Sequence, residues 1–339
     1  MKLRRIMQGW RQMLLLSREE IRSVLSMKDA INAVQEAFRE FARGTVKMPV
    51  RLSVSVEDYK GVMLTMPAYI GGAFDVLGQK VVTVYPENPE KHKLPTILAT
   101  VQLFDPKSGN CIALLDGTII TAMRTGAVGG VATRYLAAKD SRSVGVFGAG
   151  IQGETQLEAV AEERSIEFVR VYDPVEQRKI QYCKDMSRKL GLDVTAASDP
   201  IQAVRGSDII ICASTARTPV FKGEWLEPGV HINAIGSYTP DAREVDTVTI
   251  RRSKIVVDSR EAVLKEAGDL IIPIEEGVIS SQNIWAELGD IIVGKKEGRT
   301  SSQEITLFKS VGLALQDVST AAVAYRKAME QHKGTEVTI

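Results

Sequence analysis

Cysteine is scarce in this chain: 339 residues include three, Cys111, Cys183 and Cys212. They are scattered, with no C-x-x-C pair, which argues against a disulfide framework and suits reduced thiols packed inside an intracellular protein. Charge of one sign is also lacking. Lys and Arg number 43 against 42 Asp and Glu, a formal net charge of +1. That excludes an electrostatic case for nucleic acid or an anionic membrane surface. Repeats and low-complexity segments are absent. Long apolar runs are missing where a targeting segment would need one: MKLRRIMQGWRQMLLL is basic, but its apolar run is only Met13 to Leu16, too short for a signal peptide or a membrane span. A cytoplasmic protein is expected, with no metal. Two starts fit, Met1 or Met13, the second making residues 1–12 an extension. What remains is an ordinary globular composition, long enough for two domains.

Ser17 and Glu20 have capping-box spacing before a short helix. Ser26 opens a second, with Ile31, Val34, Phe38 and Phe41 at helical spacing and Gly44 ending it. From Val50 to Asp116 short β-rich runs follow (RLSVSV, GVMLTM, LGQKVVTVY, TILATVQLF, CIALLD). Turn-forming stretches separate them, which predicts a mainly antiparallel sheet with helices on one side. A helical stretch then runs to about Ala138. From Val144 strands and helices alternate: VGVFG, FVRVYD, DVTAA, DIIICAS, VHINAIG and KIVVD, with helices over Gln156–Glu162 and Glu176–Leu190. This is the pattern of a parallel sheet covered on both faces, a doubly wound Rossmann domain. Near Ile305 the rhythm ends, and Val311–Met329 reads as one long helix that returns to the first domain. The expected division is 1–122 with 311–339, an α+β domain, and 123–310, the Rossmann domain.

VGVFGAGIQG carries G-x-G-x-x-G at Gly148, Gly150 and Gly153. The glycines follow a strand and open a helix, whose N-terminal N–H groups and dipole favour a pyrophosphate. Gly148 permits the tight turn, Gly150 a close approach of the phosphates, and Gly153 close helix–strand packing. Asp173 ends the next strand twenty residues beyond Gly153, where a carboxylate accepts hydrogen bonds from a ribose. A helix N-cap before Pro174 is the bland role for Asp173, and both roles can hold together. A carboxylate there repels a 2′-phosphate, so NAD is expected over NADP, with Arg178 near enough to soften the choice. Ile151, Gln152 and Thr125 join the expected cofactor contacts.

Two cations are candidates for chemistry. Lys80 is an ammonium inside the apolar strand LGQKVVTV. It is either a solvated edge-strand lysine or a buried group that binds a carboxylate or moves a proton with a lowered pKa. Arg124, in AMRTGAVGG, can grip a carboxylate bidentately or form an interdomain salt bridge.

The chain resembles the ornithine cyclodeaminase/mu-crystallin family, which includes archaeal alanine dehydrogenases and ketimine reductases. The resemblance lies in KMPVRLSV, GQKVVTVYPENPEKHKLPT, LLDGTIITAMRTGAVGG, VGVFGAGIQG, HINAIGSYTPDAREVD, KIVVD and SVGLALQDV, in that order. It implies a homodimer whose first domain forms the subunit interface and substrate pocket, with the Rossmann domain inserted before the C-terminal helix. It implies that Arg51, Lys80 and Arg124 surround a substrate carboxylate and that Lys80 acts in proton transfer. Gly236 and Ser237 are implied near the nicotinamide, with Ser214 and Thr215 lining the cofactor. One departure stands out. Family cyclodeaminases carry an aspartate two residues before the proline of GSYTPDARE, and here that position is Tyr238. Asp241 follows the proline and is no automatic replacement. A phenol can donate a proton but is a poor general base at neutral pH. Cyclisation with ammonia release is thereby put in doubt, imine reduction less so.

The expected activity is NAD-dependent hydride transfer to or from the α-carbon of an amino or imino acid, as in a ketimine reductase or an amino-acid dehydrogenase. The alternatives are ornithine cyclodeaminase, which uses NAD without net redox change, and a non-catalytic dinucleotide or ligand binder.

Overall fold

The β-rich stretch folds as one sheet in this computed structural model, which describes residues 12–338. The two possible starts turn on residues that, Gln12 apart, lie outside the described range. The strands are β1 (Gln12–Leu16), β2 (Val46–Lys47), β3 (Leu52–Val56), β4 (Gly61–Ile70), β5 (Val76–Val84), β6 (Ile97–Phe104) and β7 (Cys111–Asp116). Their order is β1-β7-β6-β5-β4-β2, with β3 also on β4 and a C-terminal strand, Thr335–Thr338, on β1. All pairings are antiparallel except β1 with β7. The two terminal strands escaped sequence reading because each is short and draws its register from a distant partner.

Ser17 and Ser26 form their capping boxes with Glu20 and Asp29, opening the helices Arg18–Val24 and Met27–Ala42. The long helix Ala314–Glu330 packs on β4, β5, β6 and Met27–Ala42. Period-two alternation decides which strand residues meet it. In β5 Val76, Gly78, Lys80 and Val82 are buried, while Leu77, Gln79, Val81 and Thr83 are half-buried. Lys80 therefore lies in the row that faces the core. On β3, Leu52 and Val54 remain 66% and 45% exposed.

The second unit is built from β8 (Ser143–Phe147), β9 (Phe168–Tyr172), β10 (Asp193–Ala196), β11 (Ile209–Cys212), β12 (His231–Ala234), β13 (Ser253–Val257), β14 (Ile284–Glu287) and β15 (Ile305–Lys309). Every pairing is parallel, in the order β10-β9-β8-β11-β12-β15-β13-β14. Apolar clusters cover both faces. In β11, Ile209 and Ile211 join one cluster and Ile210 and Cys212 the other, so the strand is apolar throughout. The chain runs outward from β8 to β10, then returns to place β11 on the other side of β8. This is a topological switch point, where ligands of open α/β sheets bind. The strand–helix rhythm does not end at Ile305, contrary to the sequence reading: β15 is a fully buried interior strand between β12 and β13. Thr306 and Lys309, both buried and polar, disguise it.

The units comprise Met1–Arg124 with Leu313–Ile339, and Thr125–Gly312. These boundaries lie two residues beyond those read from the sequence (124 against 122, 312 against 310). The first falls inside the helix Gly117–Leu136. The long helix begins at Ala314 rather than Val311 because Gly312 takes φ +84°, outside the right-handed helical region; the buried carboxylate of Asp258 accepts the N–H groups of Val311 and Gly312, each at 2.9 Å. No described helix is long and apolar enough to cross a membrane.

Candidate functional site

The glycine turn at the end of β8 shows why two of its glycines, Gly148 and Gly153, are needed. Gly148 has φ +102°, and a Cβ there would sit 2.5 Å from the Ala213 carbonyl oxygen at the end of β11. At Gly153 a Cβ would come within 2.2 Å of the Gly148 oxygen, whereas Gly150 faces open space. Gly150 is also the N-cap of the helix Ile151–Glu163 and offers no side-chain cap. The first-turn N–H groups of that helix therefore suit an anion. Ile151 is exposed, Gln152 half-buried, and Thr125 buried, its carbonyl accepting a hydrogen bond from Gln156.

Asp173 does not cap the next helix, Glu176–Leu190, whose N-cap is Val175. Its carboxylate is buried against the glycine turn. Oδ2 accepts the Ala149 N–H at 3.0 Å and Oδ1 the Val175 N–H at 2.9 Å, with Arg178 Nη1 3.8 Å away.

Two more loops leave the same edge of the sheet, after β11 and β12. A residue that sequence reading passed over, Glu244, joins them. One carboxylate oxygen accepts the Ser214 N–H at 2.6 Å and its hydroxyl at 2.7 Å; the other accepts the N–H groups of Gly236 (2.6 Å) and Ser237 (3.2 Å). Behind Glu244, Asp269 accepts the N–H groups of Glu244 and Val245 and pairs with the fully buried Lys309 at 2.7 Å. Lys309 also donates to the Ser237 carbonyl at 2.6 Å. Burial pushes the Glu244 carboxyl up; Lys309 opposes this, Asp269 adds to it, and the Ser214 donors lower it. The side chains of Ser214 and Ser237 are thus committed within the loops, Ser237 donating to the Ala242 carbonyl at 2.5 Å. Thr215 is exposed.

In the first unit, Lys80 is 2% exposed on an interior strand, which removes the edge-strand reading. Its ammonium lies 3.0 and 2.9 Å from the two oxygens of Asp317, on the helix Ala314–Glu330. Arg124 donates from Nε to the same Asp317 at 2.9 Å and from Nη1 to Gln316 Oε1 at 2.7 Å. The partner of Arg124 thus belongs to its own unit, and the interdomain salt bridge is not what engages it. Gln316 and Asp317 are both fully buried, and Gln316 Nε2 has no hydrogen-bond acceptor among the described residues. Burial pulls the Lys80 pKa down from its ordinary value to about 8; Asp317 works against this, while Arg124 and Arg51 reinforce it. Two basic groups share one carboxylate, with Arg51 near enough to be felt. The cluster has a surplus of positive charge that an incoming carboxylate would balance.

Tyr238 is 44% exposed. Asp241 does not take over the missing aspartate's place, since it is exposed and bound to Arg217 and to Thr239 Oγ1. Asp317 and Glu244 both stood in plain view, in LALQDV and DAREVD, but neither had a local spacing that marks chemistry.

A family model described as the ornithine cyclodeaminase/mu-crystallin family matches residues 11–332. The Delta(1)-pyrroline-2-carboxylate reductase of Bacillus cereus is 40% identical over 96% of this chain and 99% of its own length. Among solved structures, Delta(1)-pyrroline-2-carboxylate reductase of Thermococcus litoralis, in complex with NADH and L-proline, is 50% identical with a TM-score of 0.93, covering 96% of this chain and 100% of its own. An archaeal alanine dehydrogenase dimer with bound NAD is 38% identical with a TM-score of 0.91, covering 97% and 99%.

Proposed function

Because the chain belongs to the ornithine cyclodeaminase/mu-crystallin family, we propose that it is an NAD-dependent reductase of α-imino acids, also able to oxidise the corresponding amino acids. The observation that carries this reading is the buried cluster of Lys80, Arg124 and Asp317. Arg124, with Arg51, holds the substrate carboxylate. Lys80, with its pKa near 8, gives a proton to the imine nitrogen in reduction and takes one from the amine in oxidation. The reduced nicotinamide, when bound, supplies the hydride for the α-carbon.

The second unit has the shape this cofactor needs. The turn Gly148, Gly150, Ile151, Gln152 and Gly153 receives the pyrophosphate, and Asp173 the adenosine ribose. Thr125, Ser214, Thr215, Gly236 and Ser237 complete the binding surface. Asp173, braced by Ala149 and Val175, cannot retreat from a 2′-phosphate, while Arg178 is close enough to temper the repulsion. NADH is therefore expected to bind more tightly than NADPH, and Asp173→Ser to narrow the difference. Titration of both cofactors by fluorescence checks this; tighter binding of NADPH by the unmutated protein would refute it.

The lyase reading lacks support, because Tyr238 replaces the aspartate and Asp241 is engaged elsewhere. A cyclic imino acid of the pyrroline-2-carboxylate type is the first substrate to try, given the relatives with that activity. The test supplies cyclic imines, and pyruvate with ammonium, together with NADH; it supplies proline and alanine with NAD. Loss or gain of reduced nicotinamide absorbance with the matching product supports the proposal. Ornithine converted to proline and ammonia at constant absorbance would overturn it, as would binding without turnover.

We also propose a homodimer. Leu52 and Val54, exposed on β3, and the half-buried apolar row Leu77 and Val81 suit burial against a second copy. Sedimentation should give a dimer or a larger assembly of dimers, and a stable monomer at micromolar concentration would contradict it.

A further inference from the structure

One fully buried carboxylate holds two separate loops at the cofactor edge of the second unit. Glu244 accepts four donors, two from Ser214 after β11 and one each from Gly236 and Ser237 after β12. The fit is tight: a Cβ on Gly236 would meet the Ser214 carbonyl oxygen at 2.3 Å and both Glu244 oxygens at 2.6 Å. Further bonds stitch the same loops together, with the Val220 N–H donating to the Glu244 carbonyl at 2.8 Å and Arg217 pairing with Asp241. Four donors converging on two oxygens require a group with acceptors only. A carboxylate meets that requirement and an amide does not. The glycine turn has an anchor of its own, Asp173, whose partners Ala149 and Val175 are not among those of Glu244.

We propose that Glu244 is a positioning residue for the nicotinamide half of the cofactor: it sets the backbone of the loops after β11 and β12, while the adenosine half depends on the glycine turn and Asp173. The assignment rests on the cofactor reading above. Its chemistry makes the two halves of the cofactor separable. In Glu244→Gln one acceptor oxygen becomes an NH2 group facing N–H donors, so one of the two loops must move away. The contacts of Asp173 with Ala149 and Val175 involve neither loop.

The test compares NADH with ADP-ribose, which lacks the nicotinamide. In Glu244→Gln, ADP-ribose affinity should stay within about twofold of the unmutated protein, while NADH affinity falls about tenfold. With a substrate found for the unmutated enzyme, kcat should drop about 100-fold through misplacement of the reacting ring. A merely structural role would weaken both ligands together, in step with a lower Tm, and that result would overturn the proposal. So would unchanged NADH binding. If Glu244→Gln does not fold, Gly236→Ala keeps the carboxylate but forces the same loops apart, and the same split between NADH and ADP-ribose is expected; NADH binding like that of the unmutated protein would then overturn the proposal. Absence of NADH turnover in the unmutated protein would instead defeat the functional reading. The difference between the two ligands is a binding result and stands apart from it.

Discussion

Lys80→Met should fold and bind NADH as the unmutated protein does, yet lose about 100- to 10,000-fold in kcat, the usual worth of a positioned acid or base. Methionine keeps the stem that packs in the covered row of β5, and removes the charge and the proton. Arg124 remains to pair with Asp317, so the buried carboxylate keeps a partner. Absorbance assays with saturating imino acid, beside a fluorescence titration of NADH, separate the two effects. Full kcat in Lys80→Met would rule out proton transfer by this residue. The unmutated enzyme adds a check on sign. With its pKa at about 8, Lys80 is protonated below that pH, so imine reduction is fastest there and declines as pH rises through it. Amine oxidation needs the neutral amine and rises over the same interval. Profiles of kcat/KM for the two directions, each normalised to its plateau, should cross near that pH.

Asp317→Asn should cost the protein about 3–5 kcal/mol of stability, because it leaves the buried Lys80 and Arg124 without their shared counter-charge. Urea unfolding measures this directly. Asp317 is also what holds the Lys80 pKa up against burial, Arg124 and Arg51. Its removal should therefore move the pH at which reduction fades to below 8, and extend amine oxidation to lower pH. A variant as stable as the unmutated protein, with an unmoved profile, would show that the carboxylate does not govern the cluster.

Some of this protein was determined within short stretches of its own sequence. The turn at Gly148–Gly153 was legible because the requirement is local: an apolar strand must end where backbone can take a positive φ and let a helix start close by. The capping box at Ser17 was legible for the same reason, closing within three residues, as was the helix start at Ser26. Lys80 was conspicuous as a cation in an apolar strand. Whether it was solvated on an edge or buried in the interior was decided only by β4 and β6 on either side. Its partner Asp317 lies 237 positions away and reaches it because the last helix returns to the first sheet. Glu244 became the anchor of two loops only once parallel pairing of β11 and β12 brought their ends together. β15 was unreadable because its buried Thr306 and Lys309 are satisfied by groups far along the chain. A strand's period and a glycine's freedom are properties of a few consecutive residues. The charge state and partner of a buried group depend on which distant side chains share its exclusion from water, and only the tertiary structure selects them.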